Sequence, residues 1–144
     1  MTLPLDFKEF LQLLNSHRVE YLLIGGYAVG FYGYPRATAD MDVWVNAMPE
    51  NAKKLVEVLK DFGFGEVEAE LFLKQEQIIR MGAPPLRIEL LTSISGVSFR
   101  DCYKKRTDVD IDGVEVSLIS LEDLKVNKKA SGRYKDLDDL EHLP

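Results

Sequence analysis

Two aspartates, Asp40 and Asp42, stand one residue apart in the apolar run DMDVWV. Successive side chains of a strand point to opposite faces, so both acids would share one face while Met41 and Val43 enter the core. Two carboxylates this close repel each other and resist losing water, so they need a compensating cation. Magnesium suits that role because it binds carboxylate oxygens together with substrate phosphates. The alternative is an exposed strand end that carries two solvated acids.

A third acid, Glu89, lies within the apolar run RIELL. An acid there usually faces solvent, but it would complete a three-carboxylate cluster if its strand lay beside that of Asp40 and Asp42. Three acids can hold two metal ions about 3.5–4 Å apart, which clamp the attacking and leaving oxygens of a phosphoryl transfer.

Two glycines, Gly25 and Gly26, end the apolar run EYLLIGG and open the next segment. Without side chains they allow backbone N–H groups and a helix N-terminus to approach a phosphate closely. The chain contains neither Gly-x-Gly-x-x-Gly nor Gly-Lys-Ser/Thr. The dinucleotide-binding and P-loop interpretations are therefore poor.

A basic segment, KVNKKASGRYK at residues 125–135, holds five cations and no acid in a chain of net charge −6. Such a patch in an acidic chain suits a single anionic ligand, although a solvated helix face is the simpler alternative. The overall charge argues against a broad basic surface for nucleic acid.

The composition is that of an ordinary globular protein, and 144 residues predict one domain spanning residues 1–144. No apolar run reaches the roughly 18 residues of a membrane span, and the N-terminus lacks a signal-peptide layout. Cys102 is the only cysteine, which fits a reducing compartment. We therefore expect a cytoplasmic protein without a membrane partner.

The order of elements predicts an α+β fold, with a mixed sheet flanked by helices rather than a regular parallel one. Apolar spacing and boundary residues predict helices at 3–17, 27–33, 49–64, 121–131 and 134–143. The same signals predict strands at 19–26, 41–47, 71–82 and 86–93, and a hairpin over 107–120 that turns at Asp112-Gly113.

Taken together, these motifs resemble the signature of the nucleotidyltransferase superfamily, which has a polymerase-beta-like fold. That signature is an apolar residue, Gly, Gly or Ser, a spacer, and then Asp, apolar, Asp or Glu, apolar. Here Ile24-Gly25-Gly26 is followed after thirteen residues by Asp40-Met41-Asp42-Val43. The family's third acid is usually Asp, whereas the matching residue here is Glu89, which is one methylene longer. The segments GGYAV, RATADMDVWV, RIELLTSISGVSF and NKKASGRYKDLDDLEHL also resemble small bacterial and archaeal members related to AbiEii-type toxins.

The resemblance implies transfer of a nucleoside monophosphate from a nucleoside triphosphate to an acceptor hydroxyl, with release of pyrophosphate. It implies that Asp40, Asp42 and Glu89 hold two magnesium ions, and that Glu89 also helps to remove the acceptor proton. Gly25 and Gly26 would cradle the β- and γ-phosphates. Further nucleotide contacts are implied for Arg36, Thr38, Lys128, Lys129, Arg133 and Lys135. A purely structural role is equally open for Arg36 and Thr38.

The sequence leaves the acceptor open: it could be RNA, especially tRNA, a protein side chain or a small molecule. A helical partner protein or an antitoxin could complete the site. The competing interpretation is a catalytically degenerate module that binds nucleotide or a toxin–antitoxin partner. A glycosyltransferase is a weaker alternative, because its Asp-x-Asp motif leaves the double glycine without a role.

Overall fold

The structure is a computed structural model that describes residues 1–35, 38–83 and 85–144. Its helices are α1 (Leu5–Ser16), α2 (Gly25–Phe31), α3 (Pro49–Phe62), α4 (Phe99–Lys104), α5 (Leu121–Ser131) and α6 (Tyr134–His142). Its strands are β1 (Tyr21–Ile24), β2 (Asp40–Val45), β3 (Ile78–Met81), β4 (Arg87–Leu91), β5 (Thr107–Ile111) and β6 (Val114–Leu118).

The six strands form one mixed sheet in the order β3-β4-β2-β1-β6-β5. The central strand β1 pairs antiparallel with β2 and parallel with β6, and β2 pairs parallel with β4. The edge strands β3 and β5 pair antiparallel with β4 and β6. The predicted α+β class and mixed sheet are therefore confirmed.

Apolar helix faces cover the sheet and close the core. Helix α1 buries four residues at helical spacing, namely Phe7, Phe10, Leu11 and Leu14, and it packs against α3 and β6. Helix α3 begins at Pro49 and stops at Gly63, whose φ of 85° ends the helix in the left-handed conformation that glycine tolerates. The signals at both ends of this helix thus work as expected from the sequence.

Strand β2 alternates as predicted over its first half. Met41 and Val43 are fully buried, whereas Asp40 and Asp42 are only partly buried. Trp44, which follows at the next position on the acid face, is also buried, because Phe99 of α4 packs edge-on against it with ring centroids 5.1 Å apart. The acid face is therefore covered at its Trp44 end and more open at the acids.

One local prediction is wrong, and one short helix was missed. The strand expected over residues 71–82 begins only at Ile78, because Ala69–Phe72 forms a 3-10 helix that buries Phe72 in the core. Helix α4 was not expected, since its six residues are too few for a visible apolar period and only Cys102 among them is buried. The hairpin turn at Asp112 and Gly113 is confirmed, with φ of 52° and 83°. A single domain over residues 1–144 stays a prediction.

Candidate active site

Strand register brings the three predicted acids to one face of the sheet. Asp42 of β2 lies directly opposite Glu89 of the parallel strand β4, and Asp40 lies opposite Arg87. Directly facing residues of neighbouring strands extend to the same side of the sheet. The structure therefore places two like charges, Asp42 and Glu89, side by side, where they repel each other.

Two arginines neutralise the outer acids. The Nε and Nη2 atoms of Arg87 donate to the two carboxylate oxygens of Asp40, each at 3.2 Å. Arg80 of β3 donates through Nε to Oε1 of Glu89 at 3.2 Å. Across the described ranges, no three acidic, histidine or cysteine side chains are gathered as a metal-binding group in this arrangement.

Asp42 is the acid without a counter-ion of its own. Burial raises its pKa from 3.8 to about 6, and the charge of Glu89 adds to the rise, while the charge of Lys135 opposes it. In the part of the chain that the structure describes, no side chain forms a hydrogen bond or ion pair with Asp42. A partly buried, unpartnered carboxylate beside two further acids is a donor set that fits a divalent cation.

The double glycine meets the acids at close range. Gly25 opens α2 with a φ of 68°, and a Cβ there would lie 2.3 Å from Oδ2 of Asp42. A Cβ on Gly26 would lie 2.8 Å from the hydroxyl oxygen of Thr38. Both positions therefore require glycine, since any side chain would fill the space beside Asp42 or displace Thr38.

A cavity of about 190 Å³ opens between this glycine turn and the C-terminal helices. It gathers a subset of the predicted site residues, namely Gly25, Gly26, Asp42, Lys128, Arg133 and Lys135. Its remaining walls come from the ends of β1 and β4, the segment that follows β4, and α5, through Ile24, Leu91, Ser93, Ile94, Ser95, Asn127 and Ser131. One carboxylate thus faces three cations across a polar cavity.

Other predicted site residues lie apart from this cavity. Asp40 and Glu89 are on the same sheet face but engaged with arginines, and Lys129 is exposed on α5. The Thr38 hydroxyl donates to the backbone carbonyl of Asp40 at 3.2 Å, which supports a structural role at the start of β2. The prediction for Arg36 lies outside the described residues.

Lys128 is not the solvated cation that the basic segment suggested. Its side chain is 4% exposed, and Nζ lies 3.1 Å from Asp136 and 3.0 Å from Asp139 of α6. Burial works against ionisation of Asp136, but hydrogen bonds from Arg133, Ser131 and Lys128 together hold its pKa well below the usual range. The cluster locks α5 to α6 and places the cationic wall of the cavity.

Sequence reasoning missed several polar residues here. Arg87 stands two positions before Glu89, a strand spacing that puts both on one face, so that signal was available. The pairing of Arg80 with Glu89 depends on register and had no local signal. Asn127 donates to the backbone carbonyl of Ser95 at 3.0 Å, which ties the segment after β4 to α5 across the cavity.

Similar folds occur in three solved structures, all below 25% sequence identity. The nucleotidyltransferase-type protein TM1012 from Thermotoga maritima is 16% identical over 94% of this chain and 88% of its own, with a TM-score of 0.61. An antigenic nucleotidyltransferase-like protein from Paracoccidioides brasiliensis is 21% identical over 94% and 72%, with a TM-score of 0.57. The lincosamide antibiotic adenylyltransferase LnuA, solved with lincomycin bound, is 14% identical over 95% and 93%, with a TM-score of 0.56.

Comparison of the sequence with protein-family profiles also identifies a nucleotidyltransferase family. Among curated proteins, none matches this chain. In the described part of the chain, no helix combines the length and apolarity needed to cross a membrane. The profile of the family described as "nucleotidyltransferase of unknown function (DUF6036)" matches residues 5–143. The chain therefore belongs to this family of the nucleotidyltransferase superfamily.

Proposed function

We propose that the chain is a magnesium-dependent nucleotidyltransferase that moves a nucleoside monophosphate from a nucleoside triphosphate to an acceptor hydroxyl. The observation that carries this proposal is the close approach of Gly25 to Asp42, with 2.3 Å between a built Cβ and Oδ2. That approach sets an unpartnered acid against the start of α2, and the cavity of about 190 Å³ beside them has room for a ligand group. Three cations line the same cavity. Lys128 and Arg133 are ion-paired with acids of α6, so Lys135 is the lining cation outside that cluster and the one that favours an anionic ligand group.

The residues divide between two tasks. Asp40, Asp42 and Glu89 would hold the magnesium ions, whose chemistry there would be to supply positive charge to the phosphates. Gly25 and Gly26 form the wall against which the outer phosphates lie. Arg133, which immediately precedes α6, and Lys135 in its first turn contact those phosphates. Lys128 adds its positive charge from within the buried cluster with Asp136 and Asp139.

The proposed transfer exchanges one bond to the α-phosphorus for another. The acceptor oxygen attacks the α-phosphorus, the bond from that phosphorus to the bridging oxygen breaks, and pyrophosphate leaves with the electron pair. The acceptor proton passes to the carboxylate of Glu89, which lies on the strand next to Asp42. The cations on α5 and α6 stabilise the charge that builds on the departing pyrophosphate.

The test is label transfer. The protein is incubated with each α-labelled nucleoside triphosphate, magnesium, and cellular RNA or lysate, and products are separated by size and by nuclease or protease sensitivity. Label transfer should occur with the unaltered chain and fall at least about a hundredfold in Asp42→Asn, which removes the negative charge of one metal ligand. Asp108→Asn serves as the control, because Asp108 lies on the distant edge strand β5 and pairs with the neighbouring Arg106.

Failure would be informative. If no triphosphate transfers label to any fraction, or if Asp42→Asn transfers as well as the unaltered chain, the proposed reaction is wrong. The identity of the labelled species decides among RNA, with tRNA foremost, a protein side chain and a small molecule. LnuA acts on a lincosamide antibiotic, which keeps a small hydroxylated acceptor among these possibilities.

The setting of the reaction is part of the proposal. The resemblance to AbiEii-type toxins supports a role in a toxin–antitoxin pair in the cytoplasm, with an antitoxin or a helical protein as partner. Growth arrest on expression, relieved by a neighbouring gene product, would support that setting. Unimpeded growth at high expression would count against the toxin–antitoxin role. The label-transfer test of the reaction does not depend on either growth result.

A second candidate is a degenerate module that binds nucleotide without transferring it. The observation in its favour is that Asp40 and Glu89 are both ion-paired with arginines, and that the third acid is Glu where the family usually has Asp. Isothermal titration separates the candidates. A degenerate module binds nucleotide without magnesium and releases no pyrophosphate, whereas the enzyme needs the metal.

A further inference from the structure

Charged residues of both signs face one another across three neighbouring strands at the candidate site. Going from β3 through β4 to β2, Arg80 faces Glu89 and Glu89 faces Asp42. One pair further along β2 and β4, Arg87 faces Asp40. Opposite charges in facing positions attract and like charges repel, so the unfavourable pair is Asp42 with Glu89. Two arginines flank that pair, and the cluster carries two cations against three anions.

The arginines engage the same oxygens that a metal needs. Arg87 spans Asp40 with a two-pronged contact, Nε to Oδ1 and Nη2 to Oδ2, both at 3.2 Å. Arg80 makes a single contact of 3.2 Å to Oε1 of Glu89. A two-pronged guanidinium–carboxylate contact is the stronger arrangement, because it uses both oxygens in a planar geometry. Asp40 is thus more firmly held than Glu89.

Neither arginine is fixed by burial. The side chain of Arg87 is 33% exposed and that of Arg80 is 54% exposed, whereas Glu89 is only 14% exposed. Each guanidinium can therefore turn into solvent, where its own charge is hydrated, while the mostly buried Glu89 then needs another cation in its place. The movable members of these pairs are the cations.

From these contacts we infer that Arg87 and Arg80 are displaceable counter-ions, which hold the carboxylates of Asp40 and Glu89 in the metal-free protein and leave them when divalent cations bind. This inference rests on the proposed function, because it takes the acids as the metal ligands. It explains why the described acids are not gathered as a ready metal group. Arg87 and Arg80 act here as positioning residues for the metal site.

The competition has a direct consequence for binding order. A divalent cation that arrives alone must displace a guanidinium, which then loses its carboxylate partner and is hydrogen-bonded only to water. A cation arriving with a triphosphate brings anionic oxygens, to which a released guanidinium can donate. Metal binding is therefore weak in the absence of nucleotide, and removal of an arginine strengthens it.

The test measures manganese binding without turnover. Free Mn²⁺ is followed by electron paramagnetic resonance during titration of the nucleotide-free protein, and quenching of the sole tryptophan, Trp44, gives a second signal on the acid strand. Arg87→Gln should lower the Kd for Mn²⁺ roughly five- to twentyfold, and Arg80→Gln should lower it less. Arg106→Gln is the matched control, because Arg106 contacts Asp108 at the same 3.2 Å and is 32% exposed.

A conservative variant guards against a merely structural effect. Arg87→Lys keeps the charge but loses the two-pronged contact, so its Kd should fall between those of the unaltered chain and Arg87→Gln. Circular dichroism checks that each variant is folded. If Arg87→Gln does not fold, the Kd values of Arg80→Gln and Arg87→Lys test the inference instead.

The possible failures are distinguishable. If Mn²⁺ binds the unaltered chain, binding is lost in Asp42→Asn, and the arginine variants keep the original Kd, then the arginine inference is overturned while the metal site stands. If the unaltered chain and every arginine variant fail to bind Mn²⁺, the metal site itself is wrong and this inference falls with it.

Discussion

Replacing Asp42 with asparagine should stabilise the folded protein at neutral pH while abolishing its chemistry. The folded state raises the pKa of Asp42 from 3.8 to about 6, chiefly through burial. A raised carboxyl pKa means that the folded state prefers the protonated acid. Stability from this group is therefore fully present below about pH 4 and is lost as the pH rises through about 6.

The size of the effect follows from the shift. Two pKa units correspond to about 2.7 kcal/mol at ~1.36 kcal/mol per unit, which is an upper bound, and relaxation and water entry reduce it to about 1–2 kcal/mol. Asparagine has the shape of the protonated acid and no charge. Asp42→Asn should therefore be more stable by about 1–2 kcal/mol at pH 8 and about equally stable at pH 4.

Urea denaturation, followed by circular dichroism at pH 4, 5, 6, 7 and 8 in a metal chelator, measures this difference. The control is Asp108→Asn, a substitution in an exposed ion pair that should change the free energy of unfolding by less than about 0.5 kcal/mol. Equal stability of Asp42→Asn and the unaltered chain at pH 8 would refute the claim that Asp42 is a partly buried charge without an ion-pair partner.

Magnesium gives the same experiment a second arm. Ligands that bind only the folded state stabilise it in proportion to the logarithm of their concentration. Adding millimolar magnesium with a non-hydrolysable nucleoside triphosphate should stabilise the unaltered chain and leave Asp42→Asn unchanged, which narrows or reverses the difference at pH 8. An equal shift in both proteins would show that the ligand does not engage Asp42.

Two further substitutions test the frame around the site. Gly25→Ala should lower the free energy of unfolding by about 3 kcal/mol, because the position combines a positive φ with a 2.3 Å approach of the new Cβ to Asp42. The control is Gly63→Ala, which has a φ of 85° but open space around it and should cost only about 1 kcal/mol. Similar urea midpoints for the two variants would disprove the close approach. Lys128→Met removes the buried cation that Asp136 and Asp139 share and should cost about 3–5 kcal/mol, while Lys129→Met on the exposed face should cost less than about 0.5 kcal/mol. Equal losses would show that Lys128 is not buried as described.

The parts of the fold that could be predicted are those whose signals are local. Pro49 and Gly63 bound a helix whose apolar period is clear, and the Asp112-Gly113 pair marks a hairpin. The alternation in DMDVWV places two acids on one face because strand geometry leaves no other choice. The double glycine and the acids together were enough to predict the superfamily.

The parts that could not be predicted depend on contacts between distant segments. The 3-10 helix at Ala69–Phe72 forms because Phe72 reaches the core, and its sequence reads equally well as a strand. The burial of Lys128 depends on α6 folding back over α5, so a charge count along the chain could only indicate a basic patch. The arginine pairs follow from register, which one-dimensional spacing does not determine.

The site is also where local rules of stability are broken. A sheet selected for stability alone would not set Asp42 opposite Glu89, nor bury one carboxylate without a partner. The chain tolerates the conflict because two arginines reduce the repulsion and a large apolar core surrounds β1 and β2. Conflicts of this kind persist at functional sites, where a ligand relieves them. If the proposed function is right, the pair of Asp42 and Glu89 is the part of the molecule that a bound cation should stabilise most. The dependence of stability on metal therefore tests the proposed function more directly than geometry alone.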